Sequence, residues 1–390
     1  SNFAVAEQSL KHALASVRPE DPAYFDIFYT YIKEAWLKTR SRNEYLSRKV
    51  FLRGSSHAPS PALMKNSTEF LARSLQELSN FRGDQNVGEF SLENSAKVCG
   101  LQGRILGDLA QIAQAVPKVC QNALESVDVP EWLNQMRKEP AAGLSEKLLT
   151  KAMEFFDDAL GHVSDDSLSL QAASRSKEGG TAGASRSLGK LFMSYADICH
   201  QLYASETEKN PNSASRAMYA CRTIENTLQA MRHGDVRARE QFPRLLDLLG
   251  VSSKCVQSFE TAALEVATWQ FIPWLSQLIS NMSAEENGNA IFSVLVALAE
   301  TYPQALYFPL KVSQEAVREK HPSGYRRLEE LLRHDNLDRL TRELAFLTHP
   351  EHRFKDYMEH LKHLVQDLSN AGRDERNSIK SAIQVTAAEM

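Results

Sequence analysis

The chain has 390 residues, of which 43% are hydrophobic and 24% charged, and its formal net charge at pH 7 is -4. These values are ordinary for a soluble globular protein, and the length suits two or three domains or one long repeat array. Lys and Arg are scattered, which disfavours a dedicated phosphate-binding surface but leaves room for a local one. The sequence contains no run of 18 apolar residues, so it predicts no membrane-spanning helix and no membrane partner.

The cysteines indicate neither a zinc site nor a disulfide framework. Five of them stand far apart, and none forms a CxxC pair: Cys99, Cys120, Cys199, Cys221 and Cys255. A reducing compartment fits this usage better than a secreted one. The chain begins without a Met or a signal sequence, and we expect it to be a piece of a longer protein.

The predicted elements are helices from the first to the last. Asp21 and Pro22 provide an N-cap and a first-turn proline for a helix whose apolar residues recur at spacings of three and four over 24–36. Cleaner stripes follow over 188–203 and over 221–231, the second closed by His233 and Gly234. Further stripes lie at Phe242–Leu249, 256–266, 291–298, 337–347 and 354–368. Because no period-two run is flanked by hairpin turns, the sequence predicts an all-α fold.

One segment, SDDSLSLQAASRSKEGGTAGASRS at 164–187, interrupts the helices. Its Ser, Gly, Ala and charged residues cannot bury enough apolar surface to offset their ordering entropy, so we predict a disordered loop. The loop divides the chain into N-terminal helical repeats at 1–163 and C-terminal helical repeats at 188–390. A shorter polar stretch at 53–62 also indicates a loop.

The lengths of the helices and turns suggest how the helices are arranged. Many helices of similar length, joined by short polar turns, are typical of an α-solenoid of stacked helical hairpins. No strict repeat period is visible, so the repeats would be degenerate TPR-like or HEAT-like hairpins. A globular helical bundle is the alternative architecture.

Sequence motifs for nucleotide chemistry are absent. The nearest approach to a phosphate loop has five residues between Gly183 and Gly189 instead of four, and it places Leu191 where Ser or Thr must reach magnesium. Protein-kinase and hydrolase signatures are also missing. Close helix packing explains three glycines that follow helical spacing: Gly100, Gly103 and Gly107.

Two histidine pairs could in principle hold a metal ion, since residues three apart share a helix face. His349 and His352 fall at a helix start, and His360 and His363 stand among charged residues. Solvent-exposed histidines account for both pairs better than a metal site does. We therefore predict no catalytic, cofactor-binding or metal-binding residue.

Prolines stand inside the most apolar segments, TWQFIPWLSQLISN at 268–281 and TYPQALYFPLKVS at 301–313. If a helix begins near Phe271, then Pro273 falls in its first turn, where a missing N–H has no intrahelical partner to lose. Trp269 would then precede the helix. The predicted buried face consists of Trp274, Leu275, Leu278, Ile279 and Met282.

In the second segment the prolines are likewise predicted to lie at helix ends. Pro303 pushes Tyr302 out of the α region and so ends a helix predicted at 287–301. Residues 304–307 would make a single turn, and Pro309 would start or kink the next helix. The prolines are thus predicted to mark the corners of helical hairpins, packed by large aromatic side chains.

These two segments resemble the FAT domain of the phosphatidylinositol-3-kinase-related protein kinases. In that family a Trp-x-x-Ile-Pro-x-Leu helix is followed by a Pro-Gln-Ala-Leu-x-x-Pro turn at a similar spacing. The resemblance is strongest across 259–361. It selects nine structural motif residues: Trp269, Ile272, Pro273, Trp274, Leu278, Pro303, Gln304, Ala305 and Pro309.

The resemblance implies a non-catalytic helical arc that clasps a kinase domain of the same parent chain and needs no cofactor. WQFIPWLSQLI and LTHPEHRFKDYMEHL are most similar to the family member, a nuclear serine/threonine kinase, that the Ku heterodimer recruits to DNA ends for end joining. Two other functions stay open from the residues alone. One is a free-standing solenoid adaptor that binds partner proteins, and the other is an all-α enzyme with an unfamiliar site.

Overall fold

A computed structural model describes residues 2–18, 21–42, 60–83, 92–138, 140–163, 181–282, 288–348, 350–370, 372 and 375–389. Within these ranges the chain forms twenty α-helices and two 3₁₀ turns and has no strand. The all-α prediction is therefore confirmed.

The first part of the chain contains α1 Asn2–Ser16, α2 Pro22–Arg42, α3 Pro61–Gly83, α4 Leu92–Ala115, α5 Pro117–Glu125, α6 Glu131–Arg137 and α7 Leu144–Gly161. The middle contains α8 Thr181–Lys209, α9 Ala214–Arg232, α10 Val236–Glu240, α11 Phe242–Leu249 and α12 Ser253–Ala263. The last part contains α13 Leu275–Met282, α14 Gly288–Thr301, α15 Pro303–Val312, α16 Gln314–Lys320, α17 Pro322–Leu332, α18 Asp335–Thr348, α19 Pro350–Asn370 and α20 Arg376–Glu389.

Helix ends follow the chemistry of their capping residues. The backbone N–H of Ala23 donates to the Asp21 carboxylate at 2.8 Å, so the predicted N-cap of α2 is confirmed. At the end of α9, His233 is the C-cap and Gly234 has a φ of 78°. That left-handed backbone favours glycine, which confirms the predicted helix C-terminus.

The helices stack mainly on neighbours in the sequence. Helix α1 packs on α2, α4 on α7, α8 on α9, α9 on α12, and α13 on α14. A chain in which each hairpin buries its apolar face against the next is an α-solenoid. This arrangement confirms the predicted architecture of degenerate helical hairpins.

Helix α4 approaches α7 and α8 through its glycines. A Cβ atom placed at any of the three would lie only 2.7 Å from a neighbouring side chain, closer than carbon atoms can approach. The close neighbours are Leu191 for Gly100, Phe156 for Gly103 and Ile198 for Gly107. The predicted role of these glycines in close helix packing is confirmed.

Helix α8 belongs to two hydrophobic cores. One face places Leu191, Tyr195 and Ile198 in a first core that extends from α2 to α8. The other face places Met193 and Ala196 in a second core that extends from α8 to α17. Helix α8 therefore joins the two halves of the described chain, because it contributes buried side chains to both cores.

The predicted loop at 164–187 is too long at its C-terminal end. Helix α8 already begins at Thr181, so residues 181–187 are helical rather than disordered. The Ser185 hydroxyl lies 3.3 Å from His233 Nδ1, a tertiary contact that helps to order the N-terminal end of α8. Residues 164–180 lie outside the described part of the chain, as do residues 53–59 of the shorter predicted loop, and α3 starts at Pro61.

Among the described helices, none combines the length and the apolarity that crossing a membrane requires.

Candidate protein-interaction site at the proline corners

The first corner is a 3₁₀ turn at Thr268–Trp274 that leads directly into α13. The prediction of a helix start near Phe271 is therefore wrong by four residues, because the α-helix begins at Leu275. Pro273 lies inside the 3₁₀ turn. Since proline has no N–H, it cannot donate the α-helical bond to the Trp269 carbonyl, and the chain uses the tighter turn instead.

The buried face predicted for this helix is confirmed at four positions and corrected at one. Leu275, Leu278, Ile279 and Met282 are buried. Trp274 is only half-buried, because its indole Nε1 donates to the Arg239 carbonyl at 2.9 Å and so keeps the ring at the edge of the core. The ring therefore contributes both packing and one hydrogen bond.

Gln270 fixes the first corner to the end of α9. Its side chain is 4% exposed, and Nε2 donates to the Met231 carbonyl at 2.8 Å. Met231 lies in the last turn of α9, and its carbonyl also accepts from the Gly234 N–H at 2.8 Å, so Gln270 adds a second donor to this helix end. Sequence analysis missed this residue, and a polar side chain between Trp269 and Phe271 was the only available signal.

The second corner begins where the sequence predicted it. Helix α14 ends at Thr301, and Tyr302 has a φ of -136° and a ψ of 57°, outside the α region. The predicted separate turn at 304–307 is wrong, because α15 runs unbroken from Pro303 to Val312 with Pro309 inside it. Helix α15 buries Leu306, Tyr307 and Leu310 on one face, and this burial stabilises the helix despite the proline inside it.

The two corners contact each other. The Thr301 hydroxyl donates to the Thr268 hydroxyl at 3.1 Å, and these two residues directly precede Tyr302 and Trp269 in the chain. Trp269 is 47% exposed and Tyr302 37%, and α15 adds Phe308 at 44%. We call Trp269, Tyr302 and Phe308 the corner surface. Exposed aromatic side chains of this kind are enriched at the energetic centres of protein interfaces.

Not all of the predicted motif residues face the core. Leu278 is buried, whereas the others lie at intermediate or exposed positions along the two corners. The half-buried residues are Ile272, Trp274, Pro303, Ala305 and Pro309, and the exposed ones are Trp269, Pro273 and Gln304. The nine residues therefore lie along the two corners, and their role as a family motif stays a prediction.

A cavity of about 280 Å³ lies behind α15, between that helix, α17 and the start of α18. Its lining mixes apolar and charged residues: Tyr307, Leu310, Lys311, Tyr325, Glu329, Glu330, Leu332, Arg333 and Asp338. The Tyr307 hydroxyl donates to Asp338 Oδ1 at 2.6 Å, and Lys311 Nζ lies 3.1 Å from the same oxygen.

The charges in this cavity are arranged to hold the helices together. The hydrogen bond from Tyr307, with a further contribution from Lys311, lowers the pKa of Asp338 below its usual value. Burial raises the pKa of the Tyr307 phenol, and its bond to Asp338 raises it further. A deprotonated aspartate and a protonated tyrosine pair stably near neutral pH, so the cluster joins α15 to α18.

The structure describes the side chains of only one of the two histidine pairs that were predicted to be solvent-exposed. His360 and His363 are exposed on α19. The placement of His349 and the side chain of His352 lie outside the described residues. In the described ranges, no group of three His, Cys, Asp or Glu side chains has a geometry that could hold a metal ion.

Comparison with known proteins relates this chain to very large ones. It is 37% identical over 150 residues to the DNA-dependent protein kinase catalytic subunit of Dictyostelium discoideum, a match that covers 38% of this chain and 4% of the relative. It is 25% identical over 280 residues to the same subunit of Xenopus laevis, which covers 69% of this chain and 6% of the relative. The predicted resemblance to a phosphatidylinositol-3-kinase-related kinase of the DNA-dependent protein kinase type is confirmed.

A second group of relatives carries a different description. The chain is 30% identical over 111 residues to the SAGA complex/NuA4 acetyltransferase complex subunit TRA1 of Saccharomyces cerevisiae, covering 27% of this chain and 3% of that protein. No protein-family model matches the chain.

The longest of these matches extends into the N-terminal part of the chain. Residues 164–390 make up less than three fifths of the chain, so a match that covers 69% of it must include residues before 164. The similarity to a DNA-dependent protein kinase catalytic subunit is therefore not confined to the proline corners. The chain itself corresponds to only a small fraction of these relatives' length.

Proposed function

We propose that the chain is the FAT region of a DNA-dependent protein kinase catalytic subunit, a non-catalytic helical scaffold that supports and regulates the kinase domain during double-strand break repair by end joining. The similarity to these kinase subunits carries the proposal. The arrangement of stacked helical hairpins supports it, because such arrays act as supports and extended binding surfaces.

The corner surface is the part of the scaffold proposed to contact the kinase domain of the same parent chain. Trp269, Tyr302 and Phe308 are exposed on elements whose backbones are fixed by packing and hydrogen bonds. A rigid aromatic surface loses little conformational entropy on binding. The nine motif residues would then act by holding this surface in place.

The regulatory step is proposed to be mechanical. Because α8 contributes to both cores, a displacement of the first core moves the second core and the corners with it. Binding events on the N-terminal side would thus change the orientation of the surface that holds the kinase domain. Ku and DNA ends would act on the chain only through the parent protein, and the expected location is the nucleus.

The experiment is co-purification of this chain with the kinase domain encoded by the parent reading frame. We expect a stable complex that is lost when Trp269 and Phe308 are both changed to Ala. The control is Leu92→Ala, since Leu92 is an apolar residue at the start of α4 that is 60% exposed and lies outside the corner surface. Loss of the complex in the control as well would point to non-specific hydrophobic association and contradict the proposal.

A free-standing adaptor that binds partner proteins is the second candidate. The similarity to a protein described as a subunit of two acetyltransferase complexes favours this candidate, because that description emphasises assembly. The parent reading frame separates the two candidates, since an adaptor requires no kinase domain. Clear ATP turnover by the purified chain alone would contradict both and favour an all-α enzyme.

A further inference from the structure

Two cysteines from different helices approach each other where α9 packs on α12. Cys221 lies in the middle of α9 and Cys255 in the first turn of α12, 34 positions further along the chain. Their Sγ atoms are 2.9 Å apart, within hydrogen-bond distance and longer than the roughly 2 Å of a disulfide bond. Both cysteines are therefore free thiols that need only a small movement to become bonded.

The two thiols differ in their access to solvent. Cys255 is fully buried, whereas Cys221 is half-buried and is the one cysteine of the five that the fold does not bury. The Ser252 hydroxyl donates to Cys255 Sγ at 3.4 Å and accepts from the backbone N–H of the same residue, which helps to hold the Cys255 side chain in place. A small oxidant therefore reaches Cys221 first, with Cys255 already beside it.

We propose that Cys221 and Cys255 form a modification site, at which a peroxide converts the two thiols into a reversible disulfide that joins α9 to α12. The Cys221 sulfur attacks one peroxide oxygen, the O–O bond breaks, and a sulfenic acid forms while water leaves with the thiol proton. The Cys255 sulfur then attacks the Cys221 sulfur, the S–O bond breaks, and the Cys255 proton leaves in a second water molecule. The thiols lose two electrons in total, and the peroxide is reduced to water.

The surroundings of Cys221 determine how fast this reaction runs. Burial, the hydrogen bond with Cys255 and the negative charge of Glu225 raise the pKa of the Cys221 thiol to about 12, so Cys221 is protonated at neutral pH. Because the thiolate is the species that attacks peroxide, the reaction is slow and requires sustained exposure. The adjacent Cys255 then captures the sulfenic acid before further peroxide oxidises it irreversibly. In a reducing compartment the dithiol is the resting form, and thiol exchange restores it.

A covalent link at this position stabilises the second core. Cys255 belongs to that core, and Cys221 packs against it. The bond closes a loop that contains α10 and α11, so it restricts the unfolded chain and raises the stability of the folded chain. The same core includes buried residues of both proline corners, such as Phe271 and Leu306, so oxidation stabilises the part of the solenoid that carries the corner surface.

The test treats the whole chain with hydrogen peroxide, counts free thiols with a thiol-specific dye after denaturation, and maps the peptides by mass spectrometry. We expect two of the five thiols to be lost and one cross-linked pair of peptides, containing Cys221 and Cys255, to appear. Dithiothreitol should restore both thiols. The urea midpoint of the oxidised chain should be higher than that of the reduced chain, because the loop is closed.

Cys221→Ser is the informative variant, because it removes the accessible thiol with little change in volume. We expect no cross-link and no rise of the urea midpoint on treatment with peroxide. Cys120→Ser is the matched control, since Cys120 is buried on α5 in the first core, and it should form the cross-link as the wild type does. If Cys221→Ser fails to fold, Cys255→Ser replaces it, and its Cys221 should proceed to a sulfinic acid that dithiothreitol does not reverse.

Three results would overturn the proposal. One is oxidation of wild-type Cys221 to a sulfinic acid without a bond to Cys255, since it would show that the two sulfurs do not meet. Another is retention of all five thiols after prolonged exposure to millimolar peroxide. The third is a cross-link that lowers the urea midpoint, which would mean that the bond distorts the second core instead of stabilising it.

Discussion

Helices approach one another closely in two regions of this molecule, and they do so by opposite means. At the contact of α4 with α7 and α8, glycines remove side chains, and neighbouring apolar side chains fill the space. At the corners formed by Thr268–Trp274 and by α15, prolines end or tighten helices, and side chains of Trp274 and Gln270 bond to carbonyls. The glycine contact is apolar and intolerant of volume, whereas the corner contact is polar and directional.

The two regions should therefore be sensitive to different substitutions. The glycine contact is stabilised by close packing, so a substitution that adds atoms should be the most destabilising change there. The corners are stabilised by specific hydrogen bonds and half-buried aromatic rings, so truncation of a side chain should be the most destabilising change there. The following substitutions test that contrast by urea unfolding monitored by circular dichroism, in order of expected effect.

Trp274→Ala should have the largest effect. It removes a half-buried ring and the hydrogen bond to the Arg239 carbonyl, and we expect a loss of about 3 kcal/mol in the free energy of unfolding. An unchanged unfolding midpoint would contradict the packed-corner account.

Gly103→Ala should cost about 2 kcal/mol, because its new Cβ would lie 2.7 Å from the buried Phe156 ring. The matched control is Gly161→Ala in the last turn of α7, where no atom lies within 4 Å of the added group. We expect that control to be neutral or slightly stabilising. Equal effects at both positions would mean that the glycines matter for helix propensity and not for packing.

Gln270→Leu should cost about 1 kcal/mol, the value of one buried hydrogen bond in a side chain of preserved size. Gln277→Leu on the exposed face of α13 is its control and should leave the unfolding midpoint unchanged. If Gln270→Leu were stabilising, its bond to Met231 would not hold the corner to α9.

Tyr307→Phe should cost about 0.5 kcal/mol at pH 7, since the partner of the buried Tyr307 hydroxyl, Asp338, is 34% exposed. The lowered pKa of Asp338 means that the aspartate contributes stability above its unfolded-state value of about 3.9 and loses that contribution as the pH falls through its folded value. The difference between variant and wild type should therefore shrink below pH 4. A constant difference down to pH 2 would show that the aspartate is not involved.

Trp269→Ala should have the smallest effect on stability, about 0.3 kcal/mol, because the ring is exposed. Its expected effect is on binding, as part of the corner surface. The pair Trp269→Ala and Trp274→Ala thus separates an interaction residue from a packing residue five positions away. Similar losses of stability would remove the basis for that distinction.

Local chemistry made some of these features predictable from sequence. Proline limits the residue before it and lacks an N–H, so the end of α14 at Thr301 could be predicted without tertiary information. Helical spacing likewise indicated that Gly103 is a packing residue. The identity of its partner, Phe156, depends on how α4 and α7 cross, and no local signal encodes that.

Other features depended on contacts between distant residues. Helix α8 starts earlier than its composition indicates, and a tertiary contact near its N-terminal end joins Ser185 to His233. Helix α15 continues through Pro309 because burial on one face outweighs a missing hydrogen bond.

Helix α8 contributes buried side chains to both cores, and we expect it to couple their stabilities. Native-state hydrogen exchange of wild type and Gly103→Ala tests this, with α4 reporting on the first core and α14 on the second. Because α8 is shared, we predict that the substitution lowers the opening free energy of α14 as well as that of α4. Unchanged exchange in α14, with faster exchange in α4, would show two independent units and contradict the account.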